Sequence, residues 1–221
     1  MKLKTLSAAL LLAFASFGHA GTASLDDAVA NVAHGWAKAN YQTPESQKAA
    51  AFESVIADAQ RVAGEFPGKA EPQIWQAIAL SSAAKAEGGF GALRKAREAR
   101  DLLLSAESID PTAINGAVYT SLGSLYANVP GWPIGFGDKK KARAYLEKAM
   151  ALAPADIDSN YFYADFLASQ GEYAAAADHV QRALAAAPRN GREDADAGRR
   201  QEAQALLTML RTKHADQLAG K

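Results

Sequence analysis

The sequence predicts an all-α chain of stacked helix pairs. Three observations point there. Apolar residues recur at three- and four-residue spacing through most of the chain, between punctuation by Pro and Gly. No segment shows the strict apolar–polar alternation of a strand. Nearly half of the residues (49%) are hydrophobic, many of them alanine, a composition suited to close-packed helices.

The first helix is expected to open at Ser24-Leu25-Asp26-Asp27, read as a capping box with Ser24 as N-cap, and to bury Leu25, Val29, Val32 and Trp36. Thr43-Pro44 starts the second, a capping hydroxyl followed by a proline in the first turn, where a missing N–H costs nothing. Its stripe is Phe52, Val55, Ile56, Ala59, Val62, Ala63 and Phe66, and Pro67-Gly68 ends it. Pro72 opens the third helix, with Trp75, Ile78 and Ala79 inward, which runs out at Gly88-Gly89. The fourth carries Leu93, Ala96, Ala99, Leu102, Leu103 and Ala106 and stops before Pro111. The fifth holds Ile114, Tyr119, Leu122, Gly123 and Tyr126. Two prolines and three glycines make the segment from Asn128 to Gly137 a loop. Asp138 is the expected N-cap of a sixth helix reaching Ala153; the seventh and eighth lie either side of Gln170-Gly171. A last helix, about 196–217, shows Ala203, Leu206, Leu207 and Leu210 on one face and is expected to cap one continuous core.

These pairs carry an internal period. From Ile157 to Asn190, Tyr163-Ala164, Leu167, Ala176, Val180, Ala183 and Pro188 resemble a tetratricopeptide repeat, with Asn160 where a large residue is usual. Tyr119, Leu122, Gly123 and Tyr126, then Ala142, Leu146, Ala149 and Pro154, form a similar unit with a lengthened turn. Trp75, Ile78, Ala79, Ala99, Leu103, Ala106 and Pro111 form another. The expected units are 24–67, 72–111, 116–154 and 157–190, in one α-solenoid domain over 21–221. Small residues let the helices of a pair approach, and stacking is required because one pair cannot bury its own apolar face. Both lengthened turns are expected to carry Gly-Phe-Gly, at 89–91 and 135–137, each followed by Lys-Ala-Arg. The turn from Val129 to Asp138 is similar to one in periplasmic tetratricopeptide proteins of the T-component type in TRAP transporters. That resemblance implies an accessory or ligand-carrying role in solute uptake, as the alternative to a scaffold.

Two early lysines, an apolar run from Leu6 to Phe17 and then Gly18-His19-Ala20 predict a secretory signal peptide over residues 1–20, cleaved after Ala20. The run is shorter than the roughly 20 residues of a membrane span. With no cysteine there is no lipid attachment point, disulfide or thiolate metal site, so the expected location is periplasmic or secreted, without a membrane anchor. Basic and acidic residues balance at 24 each, and loss of Lys2 and Lys4 leaves two excess negative charges, which argues against a nucleic-acid partner.

The tetratricopeptide resemblance implies that the first helix of each pair lines an inner groove. In that frame Gln73, Gln76, Thr120, Ser124, Asp158, Tyr161 and Asp165 face inward, a polar, slightly acidic groove for a protein or peptide segment, or simply solvated surface. It lacks the cations of a carboxylate clamp. Trp132 and Phe136 on the long turn are either docking anchors or side chains folded back to close the loop, the second being preferred. Lys139, Lys140, Lys141 and Arg143 crowd a helix start against the dipole. They mark an anionic partner or a solvated run, and would join Arg94, Lys95, Arg97 and Arg100 if the two turns share an edge. His34, His179 and His214 are scattered, the paired Asp156 and Asp158 are weak evidence for acid–base work, and no catalytic or phosphate-cradling motif occurs. The chain is therefore expected to be no enzyme and to use no cofactor or metal.

Overall fold

The computed structural model describes residues 23–218, with the side chain of Phe90 left aside. The expected signal peptide lies outside the described residues. The helices are α1 (Leu25–Ala37), α2 (Glu45–Glu65), α3 (Ala70–Glu87), α4 (Gly89–Ile109) and α5 (Ala113–Asn128), then α6 (Lys139–Leu152), α7 (Ile157–Ser169), α8 (Tyr173–Ala185), α9 (Glu193–Lys213) and the short α10 (Ala215–Leu218). Among the described residues there is no strand, only one isolated bridge between Gly131 and Gly137. Successive helices pack as antiparallel hairpins, an all-α tetratricopeptide-like solenoid.

Local chemistry explains most boundaries. Ser24 Oγ accepts from Asp27 N at 3.1 Å, while its own proton goes to the Asp27 carboxylate at 2.7 Å, so the box is closed side chain to side chain. Asp138 caps α6 through Lys140 N and Lys141 N, and Asp156 caps α7 through Asp158 N and Ser159 N. Thr43 departs from expectation. Its hydroxyl donates back to Lys38 O at 3.0 Å, closing a π-helical turn over Lys38–Gln42, and Pro44 takes the cap position. Gly89-Phe90-Gly91 is also not a lengthened turn. Gly88 and Gly89, both at φ +65°, break the chain between α3 and α4, and α4 runs on directly from Gly89. The first turn of α5 runs through left-handed Ile114, Asn115 and Gly116 before the regular helix starts. The last long helix begins at Glu193, ahead of the expected Asp196, and stops at Lys213.

Trp36 and Trp75 are core residues, their rings 6.0 Å apart. Asn160, the odd residue of the best repeat, is fully buried. Its amide donates to Pro154 O and Asp156 O, both at 2.9 Å, and its oxygen faces His179 Nδ1 at 3.1 Å. A large apolar side chain there would take the amide donor from the Pro154 carbonyl, while Asp156 O would keep only the backbone N–H of residue 160. Between α5 and α6 the fit is tightest at Gly123. A Cβ there would lie 2.5 Å from Leu146 Cγ and 3.2 Å from Ala142 O. Gly123→Ala is therefore expected to lower the urea midpoint. The overpacking cost of about 1–3 kcal/mol outweighs a helix-propensity gain of at most about 1 kcal/mol.

The first helices of the hairpins also touch one another in series: α1 against α3, α3 against α5, α5 against α7, α7 against α9, and α9 back against α1. The inner layer thus closes on itself. Buried apolar side chains fall into two clusters rather than the single core expected. One runs through α1 to α6 with Phe166 and Ala195 attached, and the other joins α7, α8 and α9 around Ile157, Val180, Leu207 and Leu210.

Candidate functional site

Closure of the inner layer decides what the expected groove residues do. Gln76 and Thr120 are buried, and Gln73, Ser124, Tyr161 and Asp165 are half-buried. The open groove expected from the sequence is occupied by α9, the helix assigned to capping. α9 is held there by a chain of charges. Arg199 Nε donates to Asp158 Oδ1 at 2.6 Å and its Nη1 to Glu202 Oε2 at 2.5 Å. The same guanidinium lies over the rings of Tyr161 (4.7 Å) and Phe162 (4.4 Å). Glu202 in turn accepts from Tyr41 OH at 3.1 Å, on the π turn after α1. From the loop before α9, Arg189 donates to Asp158 Oδ2 at 2.8 Å, to Asp156 Oδ2 at 3.3 Å and to Asp196 Oδ1 at 2.8 Å.

Burial pushes the Asp158 carboxyl up, but the guanidiniums of Arg199 and Arg189 outweigh it and hold the group well below the usual carboxylate range. Burial, with Glu202 adding to it, pushes the Tyr161 phenol up to about 12, and Tyr41 is raised further by the same cause. At Asp165 burial prevails: it raises the carboxyl, only partly offset by Lys85 and the more weakly acting Arg199. Asp158, which sequence reasoning placed in a recognition groove, is thus a structural anion between two arginines. Its charge and lone pairs are already committed. Asp156 is committed likewise, to capping α7 and to Arg189.

Sequence reading missed Arg199, Arg189, Glu202 and Tyr41, although a signal was present. Asp196, Arg199, Ala203, Leu207 and Leu210 follow at spacings of three and four, so two charges stand on the buried stripe of α9. Charges on such a stripe need partners, and here they are found both on α9 itself, at Glu202, and on α7, at Asp158.

On the outer edge, the turn 129–138 is a built structure. Gly137 N donates to Pro130 O (2.9 Å), Gly135 N to Gly131 O (3.0 Å) and Asp138 N to Tyr126 O (2.9 Å). A side chain at Gly137 would strike the Val129 carbonyl, so glycine is required there. The two aromatics divide. Phe136 folds back, edge-on to Tyr126 at 5.6 Å with the Arg100 guanidinium 4.6 Å from its centroid. Trp132, preferred as a second closing side chain, instead stands 89% exposed, with Ile134 at 66%.

The basic run is partly spent. Lys139 Nζ donates to Ala127 O at 2.6 Å, at the carbonyl end of α5 where a cation is favoured. Lys141 sits over Tyr126 and Arg143 pairs with Glu172. Asp138 sets a negative charge against the dipole at the helix start. The two clusters do meet, because Arg97 Nη2 approaches Ile134 O at 3.5 Å and Arg100 covers Phe136. Lys95 does not join them; it is buried between Glu53 and Glu87. Among the described residues no group of His, Asp and Glu is arranged to hold a metal ion, and no helix is long and apolar enough to cross a membrane.

Residues 134–193 match the family model described as tetratricopeptide repeat. The matched segment spans the end of the long turn, α6, α7 and α8, and reaches the start of α9. No curated protein matches the chain.

Proposed function

We propose that this chain, tetratricopeptide in type, is a non-catalytic scaffold working in the periplasm or outside the cell, and that it holds a protein partner on the outer face of α4 and α6. Tetratricopeptide repeats generally mediate protein–protein interaction, which supports a scaffold. The observation that carries the choice of surface is the filled inner layer. With α9 fixed in it, a partner has the outside of the hairpins to read.

There, Glu107 of α4 accepts from Tyr145 OH (3.2 Å) and Lys148 Nζ (3.5 Å) of α6, which links the two helices through their side chains. Leu104 lies three residues from Glu107, and Leu152 four residues from Lys148, on the same helix faces. Among the described residues, Leu104, Ile109 and Leu152 are the exposed large hydrophobic side chains on the helices, and Trp132 and Ile134 those on the turn. Exposed aliphatics on these two outer helices suit the apolar part of an interface. Location outside the cytoplasm is supported by the basic, apolar, small-residue order of residues 1–20 and by the absence of cysteine.

The test is capture from periplasmic extract on immobilised protein, comparing the natural chain with a Leu104→Asp, Ile109→Asp, Leu152→Asp triple variant. A partner should be retained reproducibly by the first and lost by the second, with unchanged helical circular dichroism. Equal retention by both would overturn the assignment of this face, and no reproducible partner would overturn the scaffold reading.

A further inference from the structure

We propose that the tip of the long turn, Trp132-Pro133-Ile134, is a membrane-surface contact that inserts into the interface of an anionic bilayer, steadied by the cations around its base. Three features of the turn support a lipid surface.

First, the tip projects apolar groups with nothing built to receive them. The Trp132 indole is almost wholly exposed and Ile134 two-thirds exposed. Neighbouring Phe136 is packed inward, so the exposure does not come from a loosely held loop. Trp is the side chain that favours the bilayer–water boundary, apolar in body and polar at its N–H.

Second, cations ring the base. The start of α4 lies against the turn, since a Cβ on Gly135 would come within 3.3 Å of Leu93 Cδ1. Arg94 and Arg97, one helical turn apart, are exposed there, and Arg97 reaches the Ile134 carbonyl. Exposed Lys139 and Lys140 follow on the other side. The nearby acids are largely occupied: Asp138 caps α6, Asp101 pairs with Arg100, and Glu172 pairs with Arg143. An apolar wedge plus a basic collar supplies the two signals that reversible peripheral binding requires, where either alone is marginal.

Third, the tip is too small for a protein interface. A specific interface buries roughly 800 Å² per partner, and an indole offers about 150–250 Å². With Ile134 and Pro133 added, the sum still falls well short, whereas a bilayer needs no complementary shape. The aliphatic face on α4 and α6 sits toward the far end of the hairpins, because the turn joins the start of α6 while Ile109 and Leu152 end their helices. One molecule could therefore rest on a membrane by its turn and hold a protein by its opposite edge.

The probe is sedimentation of the full chain with phosphatidylglycerol–phosphatidylcholine vesicles against phosphatidylcholine vesicles, read together with tryptophan emission. Trp36 and Trp75 are buried, so an emission change on mixing reports Trp132. Binding to the anionic vesicles with a blue shift is expected, weakening as salt is raised. Trp132→Ala with Ile134→Ala should abolish the shift and reduce binding at least tenfold. Arg94→Glu with Lys140→Glu should reduce binding to anionic vesicles by a similar factor while circular dichroism is unchanged. Absence of sedimentation with anionic vesicles overturns the proposal, and so does equal binding to both vesicle types. A Trp132-dependent blue shift produced by extract protein but not by vesicles would also overturn it, assigning the tip to a protein pocket. The Trp132 variant should still retain the partner sought on the α4–α6 face, so the two proposals fail separately.

Discussion

Replacing Asp158 by asparagine should destabilise the chain by about 3 kcal/mol, the low end of the range for breaking a buried ion pair. The low end applies because Arg199 keeps Glu202 and Arg189 keeps Asp156 and Asp196. For a chain of this length that corresponds to a fall in Tm of about 6–12 °C, measurable by thermal or urea unfolding. The pH dependence carries a sign. The folded-state pKa of Asp158 is depressed, so its contribution is fully present above the unfolded carboxylate pKa of about 3.9. It is lost as pH falls from there toward the folded value. Asp158→Asn should therefore lose most at neutral pH and show a shallower acid limb. Asp165 behaves in the opposite sense. Its folded pKa is raised by burial, so its stabilising contribution exists at acid pH and disappears as pH rises through that value. Asp165→Asn is expected to be neutral or stabilising at pH 7. If Asp158→Asn melted with the natural chain, the charge cluster would not be what holds α9 in the inner layer.

A second large effect is expected at Gly198 on α9. A Cβ there would fall 2.5 Å from Tyr41 Cδ1 and nearer still to two other carbons of the ring. The ring has little room to yield. It is edge-on to Trp36 at 5.6 Å and its hydroxyl is tied to Glu202. Gly198→Val should cost about 3 kcal/mol, the upper end for overpacking, and should push α9 away from α1 instead of merely straining one side chain. Opening of the inner layer would appear as a larger radius of gyration in solution scattering and faster proteolysis near residues 186–192. Tyr41→Ala in the same chain should recover part of the loss, giving a coupling energy well above the few tenths of a kcal/mol of independent sites. Additive effects of the two substitutions would show that the close approach of α9 to α1 does not carry the closure.

The repeated hairpins were legible because they follow from local rules. Apolar spacing, the prolines at 72, 111 and 154, the capping aspartates at 138 and 156, and small residues such as Gly123 and Ala176 each constrain only their own helix and its neighbour. The same locality explains the misses at Thr43 and at Gly89-Phe90-Gly91. A hydroxyl before a proline can turn either way along the chain. A glycine can enter a helix when the helices it joins are long enough to pack against each other without a spacer, as α3 and α4 are.

Charged residues were harder to place. Asp158 was expected to face an inner groove, and its partners Arg189 and Arg199 stand 31 and 41 positions away. Whether an inward aspartate meets solvent, a foreign peptide or the chain's own arginine depends on how far the stack curves. Trp132 and Phe136 show the same limit at short range. Four residues apart on one turn, they point in opposite directions because Tyr126 and Arg100 offer a seat to only one of them.

By itself the sequence determined the helices, their pairing into hairpins and the repeat that stacks them, since each of these is a contact between near neighbours governed by side-chain size and periodicity. Tertiary structure alone decided that the inner layer closes, that α9 fills it, and which exposed groups are left for other molecules. The physical reason is that small rotations between successive hairpins accumulate, and only their total brings Tyr41 and Glu202, 161 positions apart, within one hydrogen bond.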